Sequence, residues 1–328
     1  EGGTMNVRDY FLFGNPNTNI TTDSNLSPDM KEYYDKNLIR LTGPQLIHDQ
    51  FAQKRPIPKN GGKVIKFRQY KPFPKALTPL TEGVTPDGRK LQMTEVSATI
   101  KQYGDYVTLS DMLLLTALDN NLLESQQLLS DQAGRTLDTV TREVMHSGTN
   151  VLYAGGKSAR AALTKDDKLT VDTVKRAARI LKNANAPKID KYYVAIINPD
   201  TSYDLQSDEA WIDASKYAGS TQIFEGEVGK IAGVRFIEST EAKIFNEKST
   251  SGARIYGTLF LGANAYGTTE IEGGGLEMIV KQKGSAGTAD PLNQRATAGW
   301  KAAKTAELLV SPYIVRCEHC VTLESDPN

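Results

Sequence analysis

Four consecutive residues near the end of the chain, Cys317-Glu318-His319-Cys320, are of the types that bind zinc or exchange disulfides. They include both cysteines of the chain, and the other histidines, His48 and His146, are far away in sequence, so the usual four zinc ligands are not supplied. The segment also has the composition of a strand, in which residues three apart point to opposite faces, beyond disulfide reach. We expect ordinary reduced cysteines and no metal site.

A second stretch, 151–158 (VLYAGGKS), ends like a phosphate-binding loop. The motif G-x-x-x-x-G-K-[ST] requires Gly where this chain has Val151, and it should follow a strand rather than a predicted helix. Residues 226–233 (GEVGKIAG) lack the Ser or Thr after Lys230. No H-E-x-x-H, G-x-S-x-G or G-x-G-x-x-G context occurs either. The sequence therefore predicts no nucleotide site, no cofactor and no catalytic residue, and we expect a protein that is not an enzyme.

The charge balance disfavours sequence-specific binding of nucleic acid. The 328 residues carry 39 Lys plus Arg and 39 Asp plus Glu, so the formal net charge is zero, whereas nucleic-acid binders usually have a basic excess. A protein without net charge is also poorly protected against self-association. No apolar run approaches the roughly 18 residues of a membrane span, and no signal peptide opens the chain, so we expect a soluble, cytosolic protein.

The elements begin with an irregular segment rich in Asn, Thr, Gly and Pro. It spans about the first 30 residues, shows no sustained period, and is typical of an extended arm. Its cluster Tyr10-Phe11-Leu12-Phe13 is too apolar for a solvated tail, so we expect it to dock on a surface.

Residues 61–109 have the pattern of two strands around a turn-rich tip. In the first strand Ile65 and Phe67 lie on one face and basic residues on the other, and the tip has Pro, Asp and Gly where turns prefer them. The apolar residues of the returning strand change phase across Gly104, which predicts a β-bulge or bend there.

This hairpin is long enough to leave its own domain. A strand of about 20 residues reaches about 65 Å, roughly three times the radius of gyration expected for the chain. A projecting two-stranded ribbon is marginal alone in water, and a neighbouring copy is the simplest surface for it to lie on. The alternative is a hairpin folded back over its own core.

The strongest helix pattern covers residues 119–148, where apolar residues recur at steps of three and four over about six turns. Asp119 or Asn120 is its expected N-cap. From Thr170 the pattern becomes α/β. We expect a helix capped by Thr170, a helix that begins at Asn198-Pro199, and strands near 192–197, 234–237, 255–261, 276–281 and 308–321. In the last of these strands Pro312 predicts an edge position or a bulge.

Six segments resemble the major capsid proteins of a podovirus-type family of tailed phages. They are 34–38 (YDKNL), 53–62 (QKRPIPKNGG), 77–88 (LTPLTEGVTPDG), 101–107 (KQYGDYV), 148–156 (GTNVLYAGG) and 284–295 (GSAGTADPLNQR). The resemblance runs from about Tyr33 to about Val321.

The resemblance implies an α+β fold of the Hong Kong 97-like phage capsid type. It places an N-terminal arm at 1–45 and a peripheral domain at 46–168 and 271–328, which contains an extended β-hairpin loop (E-loop, 61–109) and a long spine helix (119–148). An α/β axial domain would occupy 169–270.

The resemblance also implies a structural function. Many copies would form the pentamers and hexamers of an icosahedral head in the virion, assembled in the host bacterial cytoplasm around packaged double-stranded DNA. Further partners would be a portal at one vertex, scaffold and decorating proteins, and weak non-specific contact with the DNA, with no membrane. The expected inter-subunit contacts are Tyr10, Phe11, Phe13, Lys66, Arg68, Lys71, Phe73, Lys75, Leu80, Glu82, Arg89 and Lys90.

Two alternatives remain open from the sequence. An encapsulin-like nanocompartment shares the fold and carries a protein cargo. A soluble α/β enzyme would suit the segment from 170 to 270 taken alone, although the projecting hairpin and the missing active site argue against it.

Overall fold

A computed structural model gives the conformation of most of the chain. It describes residues 18–19, 47–80, 82–85, 87–117, 120–212, 229–272, 274–285, 287 and 290–328. The predicted arm therefore lies outside the described residues, apart from 18–19.

The helices are α1 (Asp111–Thr116), α2 (Asn121–His146), α3 (Val171–Asn183) and α4 (Pro199–Gln206). The strands are β1 (Thr18–Asn19), β2 (Gln53–Lys54), β3 (Val64–Tyr70), β4 (Met93–Thr99), β5 (Lys101–Ser110), β6 (Val151–Tyr153), β7 (Tyr193–Ile197), β8 (Lys230–Ile231), β9 (Val234–Glu238), β10 (Ile244–Lys248), β11 (Arg254–Leu261), β12 (Tyr266–Glu270), β13 (Glu277–Lys281), β14 (Arg295–Leu308) and β15 (Ile314–His319).

Internal contacts divide the chain into two compact units. Unit 1 comprises residues 1–44, 102–137 and 273–303, and unit 2 comprises residues 45–101, 138–272 and 304–328. The expected α+β class is confirmed. These units have other boundaries than the expected peripheral and axial domains, and that division into domains stays a prediction.

Unit 1 is a small sheet covered by the first part of α2. On the helix Leu129 and Ala133 are buried, and they pack against alternate residues of β14, including Trp300. Gln132 fixes the helix over the sheet because it accepts a hydrogen bond from Trp300 Nε1 (3.1 Å) and donates one to Asp105 (2.7 Å). A single turn of the helix thus holds two neighbouring strands.

The strand register in unit 1 is fixed on both sides of β14. On one side β13 runs antiparallel to it, from Glu277 opposite Lys301 to Lys281 opposite Thr297. On the other side lies β5, and β1 pairs in parallel with β5 at Thr108–Leu109. The order in this unit is therefore β1-β5-β14-β13.

Gly104 has a different role from the one predicted. The strand break falls at Ile100, between β4 and β5, and β5 continues through Gly104. A Cβ at position 104 would lie 2.6 Å from the carbonyl oxygen of Trp300, so only glycine allows the two backbones to approach this closely. The predicted bend is therefore wrong in its position, because the glycine marks close packing between strands.

Unit 2 is built on a larger sheet with apolar residues on both faces. Its strands follow the order β6-β15-β11-β7-β9-β8, and β10 also pairs with β11. The residues of β7 are all buried and alternate between two clusters: Ala195 faces the cluster that contains α3, and Ile196 faces the cluster that contains Met145. Since both faces are covered, the strand is apolar throughout, as the sequence predicts.

The segment around Pro312 is not one strand. A short 3₁₀ turn, Ser311–Tyr313, separates β14 from β15. β15 has β6 on one side and β11 on the other, so it is an internal strand. The prediction of an edge or a bulge at Pro312 is wrong because the proline sits in the connection, where its missing N–H removes no ladder hydrogen bond.

The predicted helix starts are confirmed by their capping contacts. Asn120 accepts from the backbone N–H of Leu123 (3.3 Å) at α2, whereas Asp119 lies outside the described residues. Thr170 caps α3, and Asn198 caps α4 with Pro199 at its first position. Among the described helices, none combines the length and the apolar character that crossing a membrane requires.

We expect the substitution Gly104→Ala to lower the free energy of unfolding by about 1–3 kcal/mol, because its methyl group meets a backbone oxygen that cannot move aside. Urea denaturation of the purified subunit measures the change. Gly88→Ala is the matched control: its Cβ has no neighbour within 4 Å, and we expect an effect within about 0.5 kcal/mol. Equal effects of the two substitutions would contradict the close-approach argument.

Candidate functional site

The predicted hairpin is present and its base is anchored. β3 and β4 form seven consecutive antiparallel pairs, from Val64 opposite Thr99 to Tyr70 opposite Met93. Phe67 is buried, and its ring packs at Gly267, where an added Cβ would lie 3.4 Å from the ring. Ala98, on the same face of the hairpin, is also buried. The base of the hairpin therefore belongs to the core of unit 2.

Beyond this base the hairpin is covered by nothing in the subunit. From residue 68 to residue 95 every described residue is exposed. Several are large and apolar, with Leu77 82% exposed, Leu80 78% and Leu91 71%. Several large apolar side chains exposed on one hairpin indicate an interaction site, since their exposure to water costs free energy.

The two strands of the hairpin form a shallow basic cleft just beyond their last pair. It has a volume of about 380 Å³ and is lined by Lys71, Pro72, Phe73, Pro74, Arg89, Lys90 and Gln92. The lining thus holds three cations and the aromatic residue Phe73, and no carboxylate. Such a cleft suits a segment that combines an apolar side chain with acidic groups.

The structure brings together four of the expected contact residues and separates others. Lys71, Phe73, Arg89 and Lys90 line the cleft. Arg68, Lys75, Leu80 and Glu82 are exposed elsewhere on the hairpin. Lys66 pairs with Glu95 of its own hairpin (3.0 Å), and a pair this exposed contributes little to stability. Tyr10, Phe11 and Phe13 lie outside the described residues.

A buried His48–Asp138 pair was not foreseen. His48 Nδ1 lies 2.6 Å from Asp138, which also accepts from the His48 backbone N–H (2.9 Å). The two residues are 90 positions apart, so no sequence spacing signals their contact. His48 is fully buried and its Nε2 has no hydrogen-bond partner, so the ring reaches no substrate. The pair fastens the start of unit 2 to α2 and does not resemble a working catalytic dyad.

The adjacent Asp49 serves the same attachment. It accepts from the hydroxyl of Thr141 on α2 (2.6 Å) and from the buried ammonium of Lys304 on β14. A buried lysine is costly without a partner, so these contacts make the position of Asp49 specific. The polar groups around residues 48–49 are therefore engaged in holding elements of unit 2 together.

The segment that resembles a phosphate-binding loop is occupied by the protein itself. Gly155 adopts a positive φ of 61°, and a Cβ there would lie 1.8 Å from an oxygen of Asp167. That carboxylate accepts from the backbone N–H (2.8 Å) and the hydroxyl (2.9 Å) of Thr164. An internal carboxylate thus fills the turn.

The cysteines are buried and separate. Cys317 belongs to the apolar cluster around α3, and Cys320 belongs to a different cluster with Ala154 and Leu163. Burial raises the pKa of the Cys320 thiol to about 11 and that of Cys317 further still, so both are protonated and unreactive at neutral pH. In the part of the chain that the structure describes, no three His, Cys, Asp or Glu side chains are grouped to hold a metal ion.

A comparison with known protein families identifies the family of this chain. The family described as phage capsid protein matches residues 47–284, which include the hairpin, α2 and most of unit 2. The chain belongs to the phage capsid protein family.

Solved structures show the same fold for this capsid protein. The cyanophage Pam1 capsid matches with a TM-score of 0.71 at 14% identity, and covers 90% of this chain and 97% of its own. The capsid of Ralstonia phage GP4 matches with a TM-score of 0.67 at 15% identity, over 92% and 98% of the two chains. The cyanophage P-SCSP1u capsid matches with a TM-score of 0.67 at 15% identity, over 90% and 95%. A comparison with curated protein sequences finds no match.

Two buried histidines, His146 and His319, make the stability of this capsid protein depend on pH. Burial lowers the pKa of His319 to about 4, and burial together with nearby cations lowers that of His146 well below 6.5. The unfolded chain therefore binds protons below about pH 6.5 that the native subunit does not, so stability falls as pH decreases.

We expect His319 to contribute a slope of about 1.4 kcal/mol per pH unit to the free energy of unfolding between about pH 6.5 and 4, and His146 to add to it below about pH 6.5. Urea titrations at several pH values measure this slope. The variant His319→Gln retains a side chain able to bond the Thr258 hydroxyl and removes the proton uptake, so its slope should be smaller. An unchanged slope in the variant would show that His319 is not responsible.

Proposed function

We propose that this protein is the major capsid protein of a tailed phage, and that many copies assemble into the pentamers and hexamers of an icosahedral head around packaged double-stranded DNA. The chain belongs to the phage capsid protein family, and its hairpin is exposed at every described residue from 68 to 95. This exposed hairpin is the observation that carries the proposal. Its place of action is the virion, after assembly in the cytoplasm of the bacterial host.

The distal hairpin supports assembly because its apolar side chains need a partner surface. Phe73 is 55% exposed and Leu80 78% exposed, and full burial of such a side chain contributes about 1.5–3 kcal/mol. Shells close through many repeated heterologous contacts, so a few such side chains in each subunit suffice when every copy makes the same contact. The neighbouring subunit is the partner that is always present at the required stoichiometry.

The cations of the hairpin contribute register more than affinity. Lys71, Arg89 and Lys90 line the same cleft as Phe73, and an acidic patch on the adjacent subunit would be oriented by these cations as it meets the ring. Exposed ion pairs are worth about 0–1 kcal/mol each, less than the apolar contact that they guide. Arg68, Lys75 and Glu82 offer further charges on the same hairpin.

A phage head of this kind would also bind other proteins and enclose DNA. A portal at one vertex, scaffold and decorating proteins are its proposed protein partners. Contact with the DNA should be weak and independent of sequence, in keeping with 39 basic and 39 acidic residues. A nanomolar, sequence-dependent affinity for DNA at physiological salt would contradict this function.

The alternatives have less support. The family match is to phage capsid proteins, so it favours a phage head over an encapsulin-like compartment. The enzyme alternative requires a convergent polar pocket, and the described His–Asp pair and the phosphate-loop-like turn are both filled by structural contacts. Electron microscopy of the native assembly tests the proposal directly: closed icosahedral particles support it, and a discrete small oligomer rejects it.

We expect that a subunit in which residues 72–91 are replaced by Asn-Gly folds but forms no closed shells. The Lys71 N–H to Gln92 carbonyl bond (2.9 Å) leaves the two strands placed for a two-residue turn. Circular dichroism and urea denaturation check the fold, and electron microscopy checks for particles. Normal particles from this variant would refute a role of the hairpin in assembly.

We also expect Phe73→Ser to reduce shell yield more than Arg89→Gln does, since burial of the ring supplies more free energy than an exposed ion pair. High ionic strength screens the ion pair of Arg89 in the unmodified protein. The difference in shell yield between Arg89→Gln and the unmodified protein should therefore become smaller at high salt. Lys75→Gln, an exposed cation outside the cleft, is the matched control for loss of charge. Equal yields for the Phe73 and Lys75 variants would contradict the assignment.

A further inference from the structure

The distal part of the hairpin contains the only Asp-Gly pair of the chain, Asp87-Gly88. Both residues are exposed, and a Cβ added to Gly88 would have no neighbour within 4 Å. Among the described residues, none accepts a hydrogen bond from the Gly88 N–H, and none makes a hydrogen bond or ion pair with the Asp87 carboxylate. The main-chain nitrogen and the side-chain carboxyl group are therefore free to approach each other.

An Asp-Gly pair in this condition rearranges without an enzyme. The Gly88 nitrogen attacks the side-chain carboxyl carbon of Asp87 and forms a new C–N bond, while the N–H proton and one carboxyl oxygen leave as water. The product is a cyclic imide. Glycine favours this step because it has no side chain to hinder the nitrogen and its backbone adopts the required conformations readily.

A second water molecule then opens the imide. When this water attacks the main-chain carbonyl carbon of Asp87, the original peptide bond breaks and the chain continues through the side chain as isoaspartate. When it attacks the side-chain carbonyl carbon, aspartate is restored. One water leaves and one is consumed, so the rearrangement needs no oxidant, reductant or other reactant.

Asn60-Gly61 is the only Asn-Gly pair of the chain and would react by the same route, with ammonia as the leaving group. Its surroundings are different, because the Gly61 N–H donates a hydrogen bond to the carbonyl oxygen of Pro58 (2.9 Å). A Cβ added to Gly61 would lie 2.8 Å from Cγ2 of Ile57, so the backbone there has little room to turn. The attacking nitrogen is therefore engaged, and the imide forms only when this turn opens.

We propose that Asp87-Gly88 is a site of spontaneous isoaspartate formation in the unassembled subunit, and that the fold leaves this site reactive while it shields Asn60-Gly61. The proposal goes beyond the proposed function, since it concerns the single subunit and requires only water. The new linkage adds one methylene to the main chain directly before Arg89 and Lys90, which line the cleft. The modified fraction would increase with the time that a subunit spends unassembled.

The substitution Asp87→Asn separates the chemistry from the structure, because it places the dipeptide Asn-Gly at both positions of one molecule. The full-length, unassembled variant is incubated at neutral pH, and peptide mass spectrometry measures deamidation at positions 60 and 87. Position 87 should react at least about tenfold faster, the factor that corresponds to about 1.4 kcal/mol, the size of the hydrogen bond that must open at Gly61. In guanidinium chloride, where the chain is unfolded, the two rates should become similar.

Two results of this experiment overturn the proposal. Equal rates in the native protein, or a faster reaction at position 60, would show that the fold does not shield Asn60-Gly61. A ratio that is unchanged in guanidinium chloride would show that the difference comes from the local sequence. Circular dichroism checks that the variant is folded, as expected for a substitution at an exposed position.

Incubation of the unmodified protein in water labelled with heavy oxygen tests the aspartate itself. Each passage through the imide adds one solvent oxygen to residue 87, and fragmentation by electron-transfer dissociation distinguishes isoaspartate from aspartate. Both the label and isoaspartate should accumulate at position 87 in the native subunit at nearly the rate found in guanidinium chloride. Label that appears only in the unfolded chain would contradict the proposal.

Gly88→Val is the matched control for the route through the imide. Its side chain has open space around it in the fold, and its branched Cβ hinders the attacking nitrogen. Label and isoaspartate at position 87 should both decrease strongly in this variant. Unchanged incorporation would show that the oxygen enters without imide formation, and would also overturn the proposal.

Discussion

Two paired strands have no third layer to cover them, and this limitation governs the functional part of the molecule. The base of the hairpin is covered, because Phe67 and Ala98 are buried in the core of unit 2. The part between residues 68 and 95 does not, so its apolar side chains remain in water until another surface arrives. The paired strands therefore keep their register, and the exposed apolar side chains beyond the base still need a partner surface to cover them.

In most of each unit, the strands are covered by other elements of the same unit. In unit 1 the turn of α2 around Gln132 covers β14 and β5, and Gly104 lets these strands approach each other closely. In unit 2 both faces of β7 are covered, and buried polar contacts around His48 and Asp49 hold α2 and β14 to the start of the unit. The core of unit 2 holds the base of the hairpin at Phe67 and Ala98, and the part beyond this base stays exposed.

Features that are local in sequence could be predicted, and features that join distant residues could not. The period of α2, the caps Thr170 and Asn198, and the alternation in β3 all depend on neighbours within a few positions, and the structure contains each of them. The short strands β6, β10 and β12 were missed because three to five residues carry too little alternation, and β12 is buried at four consecutive positions. The His48–Asp138 pair gives no local signal at all. At the candidate site the basic and apolar residue types were predictable, whereas the cleft that joins Lys71 to Arg89 depends on how the returning strand leaves the tip.

The protonated state of Cys317 and Cys320 has a consequence for the whole particle proposed above. Each copy holds its thiols inside separate apolar clusters, out of contact with oxidants and with each other. A shell made of such subunits carries no thiol chemistry on either surface. When it passes from the reducing interior of a cell to oxidising surroundings, these two thiols therefore do not change its covalent structure.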